Sequence, residues 1–140
     1  MAGESTTPDV VDLTREFYVT ATRQDLDALM RFYTRDAEWD MSAGAMGSHK
    51  GVAAIATFVQ GWWDTWQDHH HEVQEILDLG HGVVFAVVRE DGQLVGSDRY
   101  VEQRAGWVFL WIEGKVEKGI AYLDIDEALA AAKRLAASRE

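Results

Sequence analysis

Three consecutive histidines, His69 to His71, follow three tryptophans in the run GWWDTWQDHHHEVQEIL. Imidazole is a common zinc ligand and also transfers protons near neutral pH, so His71 or His49 is a candidate acid–base group. If the run enters a strand, His69 and His71 share one face and His70 points away. A zinc site still needs a third ligand, and neither nearby glutamate completes an obvious set. We therefore predict no metal site.

A second group with chemical potential lies in the segment SDRYVEQR, where Tyr100, Glu102 and Arg104 alternate along a predicted strand. Alternation places the three side chains on one face. In an apolar site, arginine can bind a carboxylate or stabilise an enolate, glutamate can act as a base, and tyrosine can donate a hydrogen bond. The same pattern is typical of a solvated strand rim. The chemistry therefore depends on which way this face is turned.

Composition and charge narrow the class of protein. The chain has 140 residues, 47% of them hydrophobic, with a net charge of −11 and no cysteine. This length predicts one domain, and the absence of cysteine excludes disulfides and thiolate metal sites. The acidic balance argues against nucleic acid and anionic membranes as partners. The N-terminus MAGESTTPDV shows no secretory signal, so we predict a cytoplasmic protein.

The pattern of elements predicts a single α+β domain over residues 9–140, after a flexible lead over residues 1–8. Apolar spacing predicts a first helix from Asp9, a second over 25–33, a third over 51–66 and a last from Asp124. The segment AEWDMS and the residues from His70 to Tyr122 read as strands, with hairpin turns at EDGQ and IEGK. Helices followed by an antiparallel meander indicate one layered domain.

The segment GWVFLWI is apolar on both faces of a strand. Trp107, Phe109 and Trp111 point one way, and the residues between them point the other. Either the C-terminal helix covers the second face of the sheet, or a second copy of the chain does. Exposed aromatic patches mark interfaces, so we favour a homodimer whose interface is formed by these three aromatic residues.

The order of elements and the segments DLDALMRFYTRDAEWD, HKGVAAIATFVQGWWDTWQD and WIEGKVEKGIAYLDIDEALAAA resemble the SnoaL-like branch of the nuclear transport factor 2-like superfamily. The likeness runs from Val10 to Ala132. It implies a curved sheet wrapped by helices into a cone with an apolar cavity, commonly dimerised through the sheet. The superfamily includes ketosteroid isomerases, polyketide cyclases, epoxide hydrolases and dehydratases, as well as non-catalytic binding members, so the fold does not select the function.

The catalytic residues of these relatives do not carry over to this chain. The resemblance aligns the isomerase base with Met41, its tyrosine donor with Phe17 and its oxyanion-hole acid with Gly106. The last aspartate of the epoxide hydrolases aligns with Ala121. None of these four side chains does proton chemistry, so a standard ketosteroid isomerase or limonene-type epoxide hydrolase is not expected.

The same register predicts which residues face the cavity. It turns Tyr100, Glu102 and Arg104 inward as candidate catalytic residues, and small residues nearby leave volume for a ligand. The predicted ligand-binding residues are Phe17, Trp39, Met41, Trp62, Trp63, Gly106, Val108, Gly119 and Ala121.

The sequence therefore predicts a homodimeric cone that binds a small, largely apolar or weakly polar molecule. Cofactor-independent acid–base chemistry of the isomerase, cyclase or dehydratase type would follow from the inward-facing cluster. The alternative is a non-catalytic ligand-binding or protein-interaction module of the same fold, which the loss of the transferable carboxylates favours.

Overall fold

Residues 9–140 are described by a computed structural model, so the lead predicted for residues 1–8 lies outside the described part. The helices are α1 (Val10–Thr22), α2 (Leu26–Met30), α3 (Val52–Thr65) and α4 (Ile125–Ser138). The strands are β1 (Tyr33–Asp40), β2 (Ser48–Lys50), β3 (Trp66–Asp78), β4 (Val83–Leu94), β5 (Tyr100–Ile112) and β6 (Lys115–Tyr122). A short 3-10 turn, Ser42–Gly44, follows β1.

One curved sheet carries all six strands in the order β2-β1-β6-β5-β4-β3. Neighbouring strands are antiparallel except for β1 and β6, which run parallel. The predicted α+β class is confirmed, although the sheet is mixed and not purely antiparallel. No helix among residues 9–140 is long and apolar enough to span a bilayer.

Aspartate caps start three of the helices. Side-chain oxygens of Asp9, Asp25 and Asp124 accept hydrogen bonds from the backbone N–H groups of Val11, Ala28 and Glu127, at 2.8, 3.1 and 3.1 Å. Each bond satisfies a donor that has no partner within its own helix. The second and last helices therefore begin at the aspartates from which the sequence predicts them.

Most of β4 and the second half of β5 are buried on both faces. One face, which we call the inner face, packs against α1, α2 and α3 and carries Phe109 and Trp111. The other, the outer face, packs against α4 and carries Phe85 and Val108. GWVFLWI is apolar at every position because alternate residues of the strand face opposite sides, and helices cover both sides.

The predicted dimer interface is therefore wrong in its residues. Phe109 and Trp111 are 0% and 3% exposed inside the chain's own core, and Trp107 packs beside them. The C-terminal helix covers the second face of the sheet, as the rejected alternative proposed. A homodimer stays a prediction, but these aromatic side chains are not free to form it.

The predicted turn at EDGQ is also wrong, because β4 continues through it to Leu94. The glycine of this segment, Gly92, meets an irregularity in β3 between Trp66 and Asp68. A Cβ at Gly92 would lie 1.7 Å from the carbonyl oxygen of Asp68. This glycine therefore permits close approach of two strands and does not form a turn. The IEGK hairpin between β5 and β6 is confirmed.

The contact between Gly119 and Trp39 predicts a large effect of one methyl group. A Cβ at Gly119 would lie 2.2 Å from the indole of Trp39. We expect Gly119→Ala to lower the free energy of unfolding by about 1–3 kcal/mol through overpacking. Gly61, inside α3, has open space at its Cβ position. Gly61→Ala is the control and should stabilise by about 0.5–1 kcal/mol. Equal urea midpoints for the two variants would contradict this account of the packing.

A second prediction concerns the end of β1, where Asp40 accepts hydrogen bonds from the hydroxyl and the backbone N–H of Ser42. The hydroxyl bond, opposed by partial burial, lowers the pKa of Asp40. The stabilisation is therefore complete above the unfolded pKa of about 3.9 and is lost as the pH falls through the folded value. We expect Asp40→Asn to lower stability by less than about 1 kcal/mol at neutral pH and by nothing in strong acid. Asp36→Asn, at an exposed position of β1, is the matched control for chemical denaturation at both pH values.

Candidate functional site

A cavity of about 260 Å³ lies between the inner face of the sheet and the first three helices. Its wall is largely apolar, with Ala21, Leu29, Met41 and Val59 among the aliphatic contributors. Eight aromatic side chains also line it: Phe17, Tyr18, Tyr33, Trp39, Phe58, Trp62, Trp63 and Trp107. The wall therefore suits a small molecule with a flat, apolar body.

Stacked rings form one side of the cavity. The indole of Trp39 stacks on Trp107 with ring centroids 4.8 Å apart and planes 25° apart, and on Phe109 at 5.9 Å. The stack is possible because Gly119 leaves room for the indole against the strand. Phe17 from α1 packs against Trp39 at 5.7 Å. These rings hold each other in place, so the apolar wall is preformed.

One corner of the cavity is polar and centres on Glu90. Its Oε2 lies 2.7 Å from His69 Nε2 and 3.1 Å from His71 Nε2. Trp62 Nε1 donates to the same oxygen at 3.1 Å, and Gln103 Nε2 donates to Oε1 at 2.8 Å. We call these five residues the Glu90 cluster. Glu90, His71, Trp62 and Gln103 line the cavity, and His69 lies behind them.

Strand pairing assembles the Glu90 cluster from distant parts of the sequence. Glu90 pairs with His71 across β3 and β4, and with Gln103 across β4 and β5. These three residues therefore lie side by side on one face. His69, two residues before His71, shares that face, as the sequence predicts, while His70 points away and contacts Asp91 at 3.1 Å. The carboxylate that the histidines lack in the sequence is Glu90, supplied by the adjacent strand.

Glu90 is ionised in this setting. Burial alone raises the pKa of its carboxyl group, but the hydrogen bonds from His69, His71 and Gln103 outweigh that effect and hold the pKa well below its usual value. The side chain is 14% exposed. The corner therefore presents a fixed negative charge whose oxygens are largely occupied by donors.

Two tyrosine hydroxyls in the cavity wall have no hydrogen-bond partner within residues 9–140. They belong to Tyr18 on α1 and Tyr33 at the start of β1, which are 6% and 4% exposed. Burial raises the pKa of both phenols, and for Tyr18 nearby Tyr33 and Glu90 raise it further. Both phenols are therefore neutral donors. Nδ1 of His71 is likewise buried without a partner in the described part of the chain.

The predicted catalytic residues Tyr100, Glu102 and Arg104 lie elsewhere, and their placement in the cavity is wrong. They project from the outer face, beyond the end of α4, and Tyr100 is 60% exposed. Glu102 accepts a hydrogen bond from Arg89, and Arg104 Nε donates to Gln74 at 2.8 Å. The solvated rim, considered as the alternative, is the observed arrangement.

Five of the nine predicted ligand-binding residues lie in the cavity wall, and their contact with a ligand stays a prediction. Phe17, Trp39, Met41, Trp62 and Trp63 line the cavity, whereas the other four do not. A Cβ at Gly106 would lie 2.5 Å from Ala128, and Val108 belongs to the core under α4, so both face outward. Gly119 is covered by Trp39, and Ala121 is buried in the inner core outside the cavity wall.

The sequence analysis assigned the wrong face to alternate residues of β5 and therefore missed Gln103. It also missed three cavity residues on other elements: Glu90, Tyr18 and Tyr33. The pairing of β5 with β6 gives the reason for the wrong parity. A regular register extended from the hairpin pair Ile112–Lys115 would set Gly106 opposite Ala121 on one face. The bulge between Leu110 and Trp111 shifts the register by one residue, so Trp107 lies opposite Ala121 and faces inward with it.

Comparison with known proteins places this geometry in a family context. The profile of the SnoaL-like domain matches residues 14–118. No curated protein matches the sequence significantly.

Three solved structures illustrate the likeness. An NTF2-like protein of unknown function from Burkholderia pseudomallei is 16% identical, with a TM-score of 0.72 and coverage of 86% of this chain and 95% of its own. A candidate polyketide cyclase from Xanthomonas campestris is 20% identical, with a TM-score of 0.67 and coverage of 88% and 96%. A protein of ketosteroid isomerase-like fold from Catenulispora acidiphila, in complex with trimethylamine, is 15% identical, with a TM-score of 0.71 and coverage of 91% and 94%.

At these identities the solved structures show a shared fold and leave the chemistry to be argued from the site. The domain profile, in contrast, spans most of the sequence, and the chain belongs to the SnoaL-like domain family.

Proposed function

We propose that the chain binds a small, flat, largely apolar molecule that carries an oxygen able to accept hydrogen bonds. The observation that carries the proposal is the pair of buried hydroxyls, Tyr18 and Tyr33, left without partners in the cavity wall by residues 9–140. A buried donor without a partner costs about 1–3 kcal/mol. A ligand oxygen that accepts a hydrogen bond from either hydroxyl would recover part of that cost.

The size and lining of the cavity support a small ligand. About 260 Å³ is just below the ~300–1,000 Å³ typical of ligand sites. Eight aromatic rings can stack on a planar body or contact its edge. Gln103 and Trp62 donate their hydrogen bonds to Glu90, so the tyrosine hydroxyls are the donors left for a ligand.

Transformation of the bound molecule is the finer part of the proposal. Reactions of the isomerase, cyclase or dehydratase type would have to use the polar corner, because the rest of the described cavity wall is mostly apolar. They would not use Tyr100, Glu102 or Arg104, which lie outside the cavity. The ketosteroid isomerase-like and polyketide cyclase neighbours share the fold alone, and their names indicate which class of reaction to test.

A second candidate ligand is a methylated amine, favoured by the combination of aromatic rings and an ionised carboxylate. Tryptophan and tyrosine faces attract quaternary and alkylated ammonium groups through cation–π interactions. Here the rings surround a cavity that also contains the Glu90 carboxylate. The Catenulispora protein in complex with trimethylamine supports testing this class. The unpartnered tyrosine donors favour the oxygen-bearing ligand over the amine.

A pair of probes that differ by one oxygen tests the proposal. Acetophenone has a carbonyl acceptor on a flat ring, and isopropylbenzene has a similar shape without it. We expect acetophenone to bind more tightly, measured by quenching of tryptophan fluorescence and by calorimetry. Tyr18→Phe and Tyr33→Phe should each weaken acetophenone by about 2- to 10-fold, the worth of one hydrogen bond, and leave isopropylbenzene unchanged.

Tyr100→Phe is the matched control, because it removes the same hydroxyl from an exposed tyrosine. Arg104→Ala tests the original catalytic assignment in the same assay, and both variants should bind like the wild type. If neither acetophenone nor isopropylbenzene binds saturably, the proposed ligand class is refuted. Tighter binding of trimethylamine than of acetophenone, insensitive to the tyrosine variants, would select the second candidate.

A further inference from the structure

We propose that His69, His71 and Glu90 form a binding site for a divalent first-row transition metal, with Zn²⁺ as the best-suited ion. The inference goes beyond the proposed function and does not depend on it, because it concerns the polar corner without a bound molecule. The site would supply two imidazole nitrogens and one carboxylate oxygen, with its remaining coordination positions open.

The positions of the three ligand atoms fit a metal ion. Glu90 Oε2 lies 2.7 and 3.1 Å from the Nε2 atoms of His69 and His71, and all three residues offer ligand atoms within 4.8 Å of one another. Ligands at about 2.0–2.2 Å from zinc lie roughly 2.8–3.6 Å apart in a tetrahedral or octahedral shell. The distance from Glu90 to His71 falls in this range, and the distance from Glu90 to His69 lies just below it.

The contacts of Glu90 show that the proposed ligands already meet at one point. Nε2 of His69 and Nε2 of His71 both lie within hydrogen-bond distance of the single oxygen Oε2. Trp62 donates to the same oxygen, and Gln103 donates to Oε1. A metal ion would take the place of the two imidazole contacts and be bound by Nε2 of each ring and by Oε2.

Packing fixes the rings that would bind the ion. His69 stacks on Trp66 with centroids 4.5 Å apart and planes 13° apart, and its side chain is 4% exposed. His71 is held by the strand pair with Glu90 and is 11% exposed. Trp62 and Gln103 would remain hydrogen-bonded to the coordinating carboxylate, as outer-shell groups do in metal sites. The ligand set is therefore preorganised.

The donor types select the metal. Two imidazoles and one carboxylate suit zinc and other first-row divalent ions, whereas Mg²⁺ and Ca²⁺ require oxygen ligands. Because His71 and Glu90 line the cavity, the open positions of the ion would face it.

Calorimetric titration of the chelator-treated protein with Zn²⁺ alone, without any small-molecule probe, tests the inference. We expect one ion per chain and a raised Tm in its presence. His69→Gln, His71→Gln and Glu90→Gln should each weaken binding by at least about 100-fold, because even outer-shell changes cost about 10–100-fold. Trp62→Phe should weaken it by about 10-fold. Mg²⁺ should give no saturable heat.

His70→Gln is the matched control, since His70 belongs to the same run but its side chain lies on the opposite face, 59% exposed. It should bind Zn²⁺ like the wild type. Circular dichroism checks that each variant is folded. If Glu90→Gln does not fold, Zn²⁺ binding by His69→Gln decides whether the metal site exists.

Three results would overturn the proposal: no saturable Zn²⁺ binding, binding unchanged in His69→Gln, or binding abolished only in His70→Gln. The last would assign the ion to the outer face, where His70 contacts Asp68 and Asp91. If Zn²⁺ binds but neither acetophenone nor isopropylbenzene does, only the proposed function is rejected. If acetophenone binds as expected but Zn²⁺ does not, only the metal site is rejected.

Discussion

A carboxylate held in the wall of an apolar cavity is the constraint around which the site is arranged. Moving such a charge out of water costs several kcal/mol unless hydrogen bonds replace the lost hydration. Glu90 obtains them from three different elements: β3 supplies two imidazoles, β5 supplies Gln103 and α3 supplies Trp62. The side chain consequently ties the third helix to three strands. Any displacement of one element would leave the charge less well solvated, so the polar corner and the packing around it depend on each other.

The apolar part of the cavity is formed by the packing of aromatic side chains. Trp39 can lie against β6 because residue 119 has no side chain, and its ring then supports Trp107 and Phe109. The rings leave an unfilled volume beside them because their own stacking prevents collapse into it. Tyr18 and Tyr33 line this volume, and their buried hydroxyls are unpaired in the described chain. The hollow and its donors are thus built by aromatic packing, whereas the charged corner is built by strand pairing.

The sequence predicted the class, the order of elements, the starts of helices at Asp25 and Asp124 and the shared face of His69 and His71. These features depend on local spacing, which a sequence displays directly. The sequence analysis was wrong at positions whose orientation is set by pairing between strands. The parity of β5 cannot be read from GWVFLWI, because both faces are apolar, and charged residues at its open end extend the ambiguity. Gly92 resembles a turn residue by type but serves close approach of β3 and β4. Glu90 stands beside it in the same misread segment, so the partner of the histidines was hidden by the same error.

Burial of β4 and β5 on both faces has a consequence for how this chain can vary in length. Adjacent residues on these strands face two separate regions, the inner core with its cavity and the outer core under α4. A single inserted residue would exchange the two linings at once. The connection over residues 95–99, in contrast, leaves both regions untouched when it grows, at a small entropic cost. Length variation among relatives should therefore concentrate in that loop and be absent from the strands it joins.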